Sequence, residues 1–320
     1  MAAVYQIGQV VKGAIGKYTL SNQLQDTVWL ALNSTNETVA IKSVRHFRIE
    51  NERDILRRFQ SKSAYIRPLI DEITEPADPP AIALKHLDDD LLHVSGTQKL
   101  TKREVKYVSK RILEALNTLH QEHFVHTDVK LNNVLVNFKL SKDLSQDESG
   151  IRFTDVQLPD FGNTVSADSG YAKDGDMVGA PIWRSPEATL SIPWSCSTDI
   201  WSFGTAVISL LFGKNFHLLK PNVPADYEDY ELKVLERMHI FFGPFPNSFQ
   251  DIADQKTLIA LAELMKVIPA DQLKPFRLLQ DPDLSENDKA FILKIMKLDP
   301  RHRPTAEELL KDEWFLKDLN

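Results

Sequence analysis

The sequence predicts an α+β protein of two unequal lobes, a small β-rich one over residues 1–85 and a larger helical one over residues 86–320. Two observations carry this. Before residue 85, "TVWLAL", "ETVAIKSV" and "PPAIALKHL" are short runs rich in β-branched and apolar residues, with the turn "NSTN" between the first two. After it, apolar residues recur at helical spacing. "TKREVKYVSKRILEALNTLH" opens with the capping box Thr101 to Glu104 and sets Val105, Val108, Ile112, Leu116 and Leu119 on one face.

The elements follow in order. "TLSNQLQDTVWLA" has the outline of two strands joined by a polar tip, which places the tip at Ser21 to Asp26 before Val28. Gly8, Gly13 and Gly16 lie too far upstream to cap that hairpin and read as N-terminal turns. The charged "FRIENERDILRRF" reads as a helix between the second and third strand runs. "STDIWSFGTAVISLLFG" is apolar over most of its circumference, so it reads as a buried central helix, and "TAEELLKDEWF" supplies a further capped helix.

Composition bounds the function. A chain of 320 residues with 42% apolar composition can bury a substantial core. Lys plus Arg number 38 against 45 for Asp plus Glu, and a net charge of −7 argues against a general nucleic-acid binder. The single cysteine, Cys196, excludes an intrachain disulfide framework and reads as core. No run reaches the roughly 18 apolar residues of a membrane span, so a cytoplasmic or nuclear protein is expected. "DEITEPAD", "LDDDLL" and "DYEDYE" are either solvated surface or docking sites for a basic peptide.

The chemistry begins with "VHTDVKLNNVL". Phosphoryl transfer needs a carboxylate to orient the attacking hydroxyl and, a few residues on, an amide oxygen for a metal ion. His126, Asp128 and Asn133 have that spacing, with Lys130 between them. "QLPDFGN" adds Asp160, Phe161 and Gly162, "VAIK" adds Lys42, and "NERDIL" adds Glu52 as a partner for that lysine.

Four motifs in this order resemble the eukaryotic protein kinases, and the resemblance runs from about Tyr18 to Phe315. "GAPIWRSPEA" looks like the end of an activation segment, "DIWSFG" supplies Asp199, and "DPRHRPTA" supplies Arg303 as the partner of Glu187. "IWRSPE" and the long stretch containing "FFGPFP" are most similar to the group of cyclin-dependent, MAP and SR-protein kinases, the finest match being SR-protein-kinase-like enzymes of fungi. The resemblance implies the bilobal protein-kinase fold with ATP and Mg2+ as cofactors. Lys42 would hold the α and β phosphates and Glu52 fix it. Asp128 would accept the substrate proton, Lys130 meet the γ phosphate, and Asn133 and Asp160 hold magnesium. Leu84 would guard the back of the adenine pocket, Lys85 to Leu87 form the hinge that reads adenine, and Asp90 contact ribose.

Four departures qualify the match. Thr127 replaces the arginine that binds an activation-loop phosphate, so phosphate-dependent switching is not expected. Ala180 replaces a threonine that bonds the catalytic loop, which would loosen Asp128 and Lys130. Lys42 and Glu52 are ten residues apart, which requires a helix shortened at its start. "SNQLQD" replaces the glycines of the phosphate-covering loop, which predicts a weakened nucleotide clamp. The expected activity is transfer of the ATP γ-phosphate to Ser or Thr of a protein substrate by a monomer, with Arg/Ser-rich or other basic peptides as candidates. The alternatives are a pseudokinase scaffold and a small-molecule kinase, and "RSPE", "DIWSFG" and "RHRPTA" argue against the second.

Overall fold

Six strands close a barrel: β1 (Val10–Gly13), β2 (Lys17–Gln25), β3 (Val28–Leu32), β4 (Thr38–Ser43), β5 (Leu69–Glu75) and β6 (Ala81–Lys85), hydrogen-bonded in the order β1-β2-β3-β4-β6-β5, with β5 returning to β1. The computed structural model describes residues 5–140 and 149–316; positions 1–4 of the small lobe and 141–148 and 317–320 of the large one lie outside the described residues. Alternation along the strands sends Val11, Tyr18, Leu20, Trp29, Val39 and Ile41 into the barrel interior.

β1 and β5 carry little strand signal, being short and half charged respectively. Beside their ladder pairing, the buried carboxylate of Asp71 ties β5 to the turn after β1. It accepts the backbone N–H groups of Ala14 at 3.0 Å, Ile15 at 3.1 Å and Gly16 at 3.0 Å and the Tyr18 hydroxyl at 2.9 Å. A Cβ on Gly13 would collide with that carboxylate, so glycine here permits the turn between β1 and β2 to close on Asp71.

The hairpin differs from expectation. β2 does not end at Ser21 but runs through Gln25, with register shifts near Leu20 and near Gln23, and Gln25 lies opposite Val28. The tip is therefore only Asp26 and Thr27. No residue from Ser21 to Thr27 has a positive φ, so this hairpin makes no conformational demand for glycine.

α1 (Phe47–Phe59) follows β4, with the His46 side chain accepting from the Arg48 N–H at 3.2 Å. The large lobe contains β7 (Asp89–Asp90), α2 (Leu91–Thr97), α3 (Lys102–His120), β8 (Phe124–Val125), β9 (Leu135–Phe138), β10 (Phe153–Gln157), β11 (Val165–Ser166), α4 (Gly170–Lys173), α5 (Pro186–Thr189), α6 (Ser197–Phe212), α7 (Tyr230–Phe242), α8 (Gln255–Val267), α9 (Glu286–Ile295) and α10 (Ala306–Leu310). α3 has the expected capping box, and α6 is buried continuously from Thr198 to Leu211. Gly204 lets α6 approach α9, since a Cβ there would meet Ile295 and Met296.

"TAEELLKDEWF" forms two pieces where one helix was expected. α10 is capped by Thr305 and Glu308 but ends at Leu310, and Glu313–Phe315 is a separate 3-10 turn capped by Asp312. Tertiary contacts impose the break: the Trp314 indole donates to Asp288 Oδ1 at 2.8 Å and stacks on Phe291 with centroids 4.1 Å apart. Among the described residues no helix is long and apolar enough to cross a membrane.

Candidate functional site

Lys42 leaves β4 on the face opposite Val39 and Ile41, and so points out of the barrel towards α1. α1 buries Ile49, Glu52, Ile55, Leu56 and Phe59, one stripe of a helix that places a carboxylate among apolar side chains. Lys42 Nζ lies 2.6 Å from Glu52 Oε2 and 2.8 Å from Asp160 Oδ1. The ten-residue spacing suffices because α1 begins at Phe47, only four residues beyond the end of β4. Burial alone would lower the Lys42 pKa, but the Glu52 and Asp160 carboxylates outweigh it and hold the ammonium above its ordinary range. Burial likewise works against the Asp160 carboxylate, and Lys42 first, then His126 and Lys130, overcome it and hold the acid below its ordinary value.

Asp160 sits in the left-handed region at φ 63° and ψ 65°. The next residue, Phe161, is fully buried, its ring edge-on to His126 with centroids 5.1 Å apart. Asn51 of α1 fastens this loop by donating its amide to the carbonyls of Gly162 at 3.1 Å and Thr164 at 2.9 Å. One helix thus holds both the lysine's partner and the loop that carries Asp160.

The segment after β8 is organised by Asp199 of α6. Its carboxylate accepts the N–H of His126 at 2.8 Å and of Thr127 at 2.9 Å, and lies 3.0 Å from His120 Nε2. Thr127 is held at φ 72°, a conformation that costs a β-branched residue about 1 to 3 kcal/mol, and its hydroxyl donates to the Asn163 carbonyl at 3.1 Å. Asp128 Oδ2 lies 2.7 Å from Lys130 Nζ and accepts the Asn133 amide at 2.9 Å, while Asn133 also donates to the Asp128 carbonyl at 3.0 Å. Ala180 offers no hydroxyl to this loop, and the Asp128 carboxylate is held by Lys130 and Asn133 instead.

At the end of β6, Leu84 is buried opposite Ala40 of β4 and Leu69 of β5. The Lys85 side chain pairs with Asp155, and its N–H donates to the Pro68 carbonyl at 3.0 Å. Leu87 is buried, and Asp90 caps α2 by accepting the His93 N–H at 3.0 Å. Sequence reasoning missed Arg67, which belongs to no motif. Its Nε donates to the Lys85 carbonyl at 2.8 Å, and its N–H donates to Leu158, two residues before Asp160. Burial draws its guanidinium down to about 10 against the pull of Glu52 and Asp160, which leaves it protonated at neutral pH.

From Asp160 to Glu187 the chain is fixed by local bonds. β11 pairs with β8, the Trp194 indole donates to the Asp176 carbonyl at 2.8 Å, and Arg184 donates to Val178 and Gly179 carbonyls and to Glu231. Glu187 and Arg303 form a bidentate pair at 2.7 and 2.8 Å, both side chains fully buried. The acidic runs are largely spent within the molecule. In "DEITEPAD" Asp71 holds a turn, Glu72 pairs with Arg53 and Arg57, Glu75 with Lys12 and Asp78 with Arg45. In "LDDDLL" Asp88 and Asp90 accept backbone N–H groups and Asp89 meets His93. Exposed acids remain in all three runs, Glu75, Asp78 and Asp88 within these contacts and Asp226, Glu228 and Asp229 in "DYEDYE". Cys196 is partly buried beside a small cluster of Val125, Ala172, Ala188 and Trp194, and burial pushes its thiol up to about 12, which leaves it unreactive.

Comparison with known proteins places this geometry. The protein kinase domain family matches residues 12–315. The CTD kinase subunit alpha of Schizosaccharomyces pombe is 27% identical over 99% of this chain and 49% of its own length. A serine/threonine protein kinase of Aspergillus fumigatus is 26% identical over 91% of this chain and 81% of its own, and serine/threonine-protein kinase 4 homolog A of Dictyostelium discoideum is 25% identical over 91% and 53%. The chain spans about half the length of the first of these relatives.

Proposed function

Because the chain belongs to the protein kinase family, we propose that it binds Mg-ATP and transfers the γ-phosphate to Ser or Thr of a protein substrate. The observation that carries this is that Lys42 Nζ lies within 2.8 Å of both Glu52 and Asp160, with Lys130 close enough to act electrostatically on Asp160. A chain relieved of phosphate chemistry would gain nothing from gathering these charges at one site.

The residues divide the work. Lys42, steadied by Glu52, orients phosphate oxygens. Asp128 Oδ2 is committed to Lys130 and Asn133, so Oδ1 is the oxygen left to take the proton of the attacking hydroxyl. Asn133 spends its amide nitrogen on Asp128, which leaves its amide oxygen as the atom able to coordinate. That oxygen and the Asp160 carboxylate form a short, all-oxygen donor set suited to magnesium, which takes its remaining ligands from water and phosphate and would neutralise charge on the phosphates when bound. Leu84, the Lys85 to Leu87 backbone and Asp90 line the base and ribose end. Asp226, Glu228 and Asp229 favour a basic peptide.

A second reading, a nucleotide-binding scaffold with little transfer, is favoured by the side chains of Ser21 to Asp26, which stand where glycines would let backbone N–H groups approach phosphate. Two measurements separate the readings. Mg-ATP should raise the melting temperature through mass action, about 2.7 kcal/mol at a hundredfold excess over the dissociation constant. The shift should require magnesium, vanish in Asp160→Asn and shrink in Lys42→Met. Radiolabelled transfer to a diverse peptide array should fall at least about a hundredfold in Asp128→Asn. Binding without transfer above the Asp128→Asn background selects the scaffold, and no binding by calorimetry removes both readings.

A further inference from the structure

Arg67 lies against Lys85, the first residue of the segment read above as meeting the base. Its backbone is pinned on two sides: Ile66 bridges to Leu158, and Pro68 accepts the N–H of Lys85. Its side chain reaches the Lys85 carbonyl through Nε at 2.8 Å. Among the described residues neither terminal guanidinium nitrogen has a hydrogen-bond acceptor. The group lies within electrostatic reach of Glu52 and Asp160 and also of His86 in the segment from Lys85 to Leu87.

We propose that Arg67 sets the base preference of the nucleotide site, and that the site takes a purine with an acceptor at C6, guanine or hypoxanthine, at least as well as adenine. The inference rests on the reading of Lys85 to Leu87 as the segment that meets the base. Adenine presents a donor, its exocyclic amino group, and the carbonyl suited to receive it already receives Arg67 Nε. The second lone pair of that carbonyl stays available, so adenine is disfavoured without being excluded. A guanidinium fork offers two parallel N–H donors. Guanine and hypoxanthine answer with two acceptors, O6 and N7, whereas adenine answers with N7 alone and turns its own N–H towards the other arm. The carboxylates of Glu52 and Asp160 keep the fork charged without hydrogen-bonding to it.

Calorimetry on the full chain with Mg-ATP, Mg-GTP and Mg-ITP tests this. ITP carries the O6 acceptor without the 2-amino group of GTP, so it isolates the contact. Wild type should bind Mg-ITP and Mg-GTP no more weakly than Mg-ATP. Arg67→Leu should move the ITP-to-ATP affinity ratio towards ATP by about tenfold or more, the discrimination a bidentate contact supplies. Arg67→Lys, a single point donor, should move it part of the way, and it carries the test if the leucine variant does not fold. Wild type binding Mg-ATP while Mg-ITP and Mg-GTP bind tenfold more weakly would overturn the inference and leave the nucleotide site standing. So would a ratio unchanged by either variant. If none of the three nucleotides binds, the nucleotide site and the base preference fall together.

Discussion

Single buried charges settle much of the site's geometry. Asp199 spends its carboxylate on two consecutive N–H groups, and that pair of bonds holds Thr127 in a conformation that a β-branched residue would otherwise leave. Arg303 does similar work for the end of the activation segment. Besides Glu187 it donates to the carbonyls of Lys297, Ser197 and Leu298, so its removal strands a buried carboxylate and three acceptors together. Arg303→Ala should cost about 3 to 5 kcal/mol in denaturant unfolding, the penalty for breaking a buried pair from one side. An unfolding midpoint equal to that of wild type would show that solvent reaches Glu187 when its partner is gone.

At the scale of elements, the β2–β3 hairpin and the activation segment each carry a consequence. Asp26 stands in the two-residue turn and is exposed, so its charge opposes an approaching phosphate across solvent. Asp26→Asn should tighten Mg-ATP about two- to fivefold at low salt in calorimetry, with the gain fading as the Debye length shrinks towards about 3 Å at 1 M. A gain that persists at high salt would point to a steric cause instead. The activation segment is held by Asn51, Arg184, Trp194 and the β8–β11 pairing, none of which needs a phosphate. Transfer activity should therefore survive phosphatase treatment within about twofold, since the ordering that a phosphate supplies elsewhere is supplied here by packing. A loss of most activity on dephosphorylation, measured with the same peptide, would contradict it.

Across the whole molecule, acid stability follows from carboxylates that the large lobe has committed. Burial alone would raise the pKa of Asp299, but hydrogen bonds from Arg301 and Ser248 outweigh it and hold the acid well below its ordinary 3.8. Asp288 is lowered in the same way by Ser285, Trp314 and Lys102 against its burial. A depressed carboxylate stabilises the fold fully above its unfolded value, and that contribution is lost as pH falls below about 3.8 towards the folded value. Unfolding free energy measured from pH 6 down to pH 3 should therefore drop most steeply below about pH 4. Asp299→Asn should be less stable than wild type at pH 6 and lose less over that interval, and parallel curves for the two proteins would remove Asp299 from the explanation.

The sequence by itself determined what depends on neighbours along the chain. The capping boxes of α3 and α10 and the short turn at Asn33 to Asn36 are local hydrogen-bond arrangements, and the burial of α6 is written in its apolar run. The order of the motifs likewise singles out Lys42, Glu52, Asp128, Lys130, Asn133 and Asp160. Tertiary structure decided whatever depends on residues far apart in sequence. β1 and β5 pair with each other, and Asp71 of β5 captures a turn 55 residues away, a bond no window of sequence contains. The hairpin tip narrowed to two residues because pairing with β3 extends β2, and the acids of "DEITEPAD" found ion-pair partners in α1, β1 and Arg45. Arg67 was invisible for the same reason: an arginine with no motif gains a role only when the fold sets its guanidinium against the Lys85 carbonyl. Periodicity and capping act over about four residues, whereas the placement of a charge in a cleft is set by the closure of a barrel, and only the folded chain supplies that.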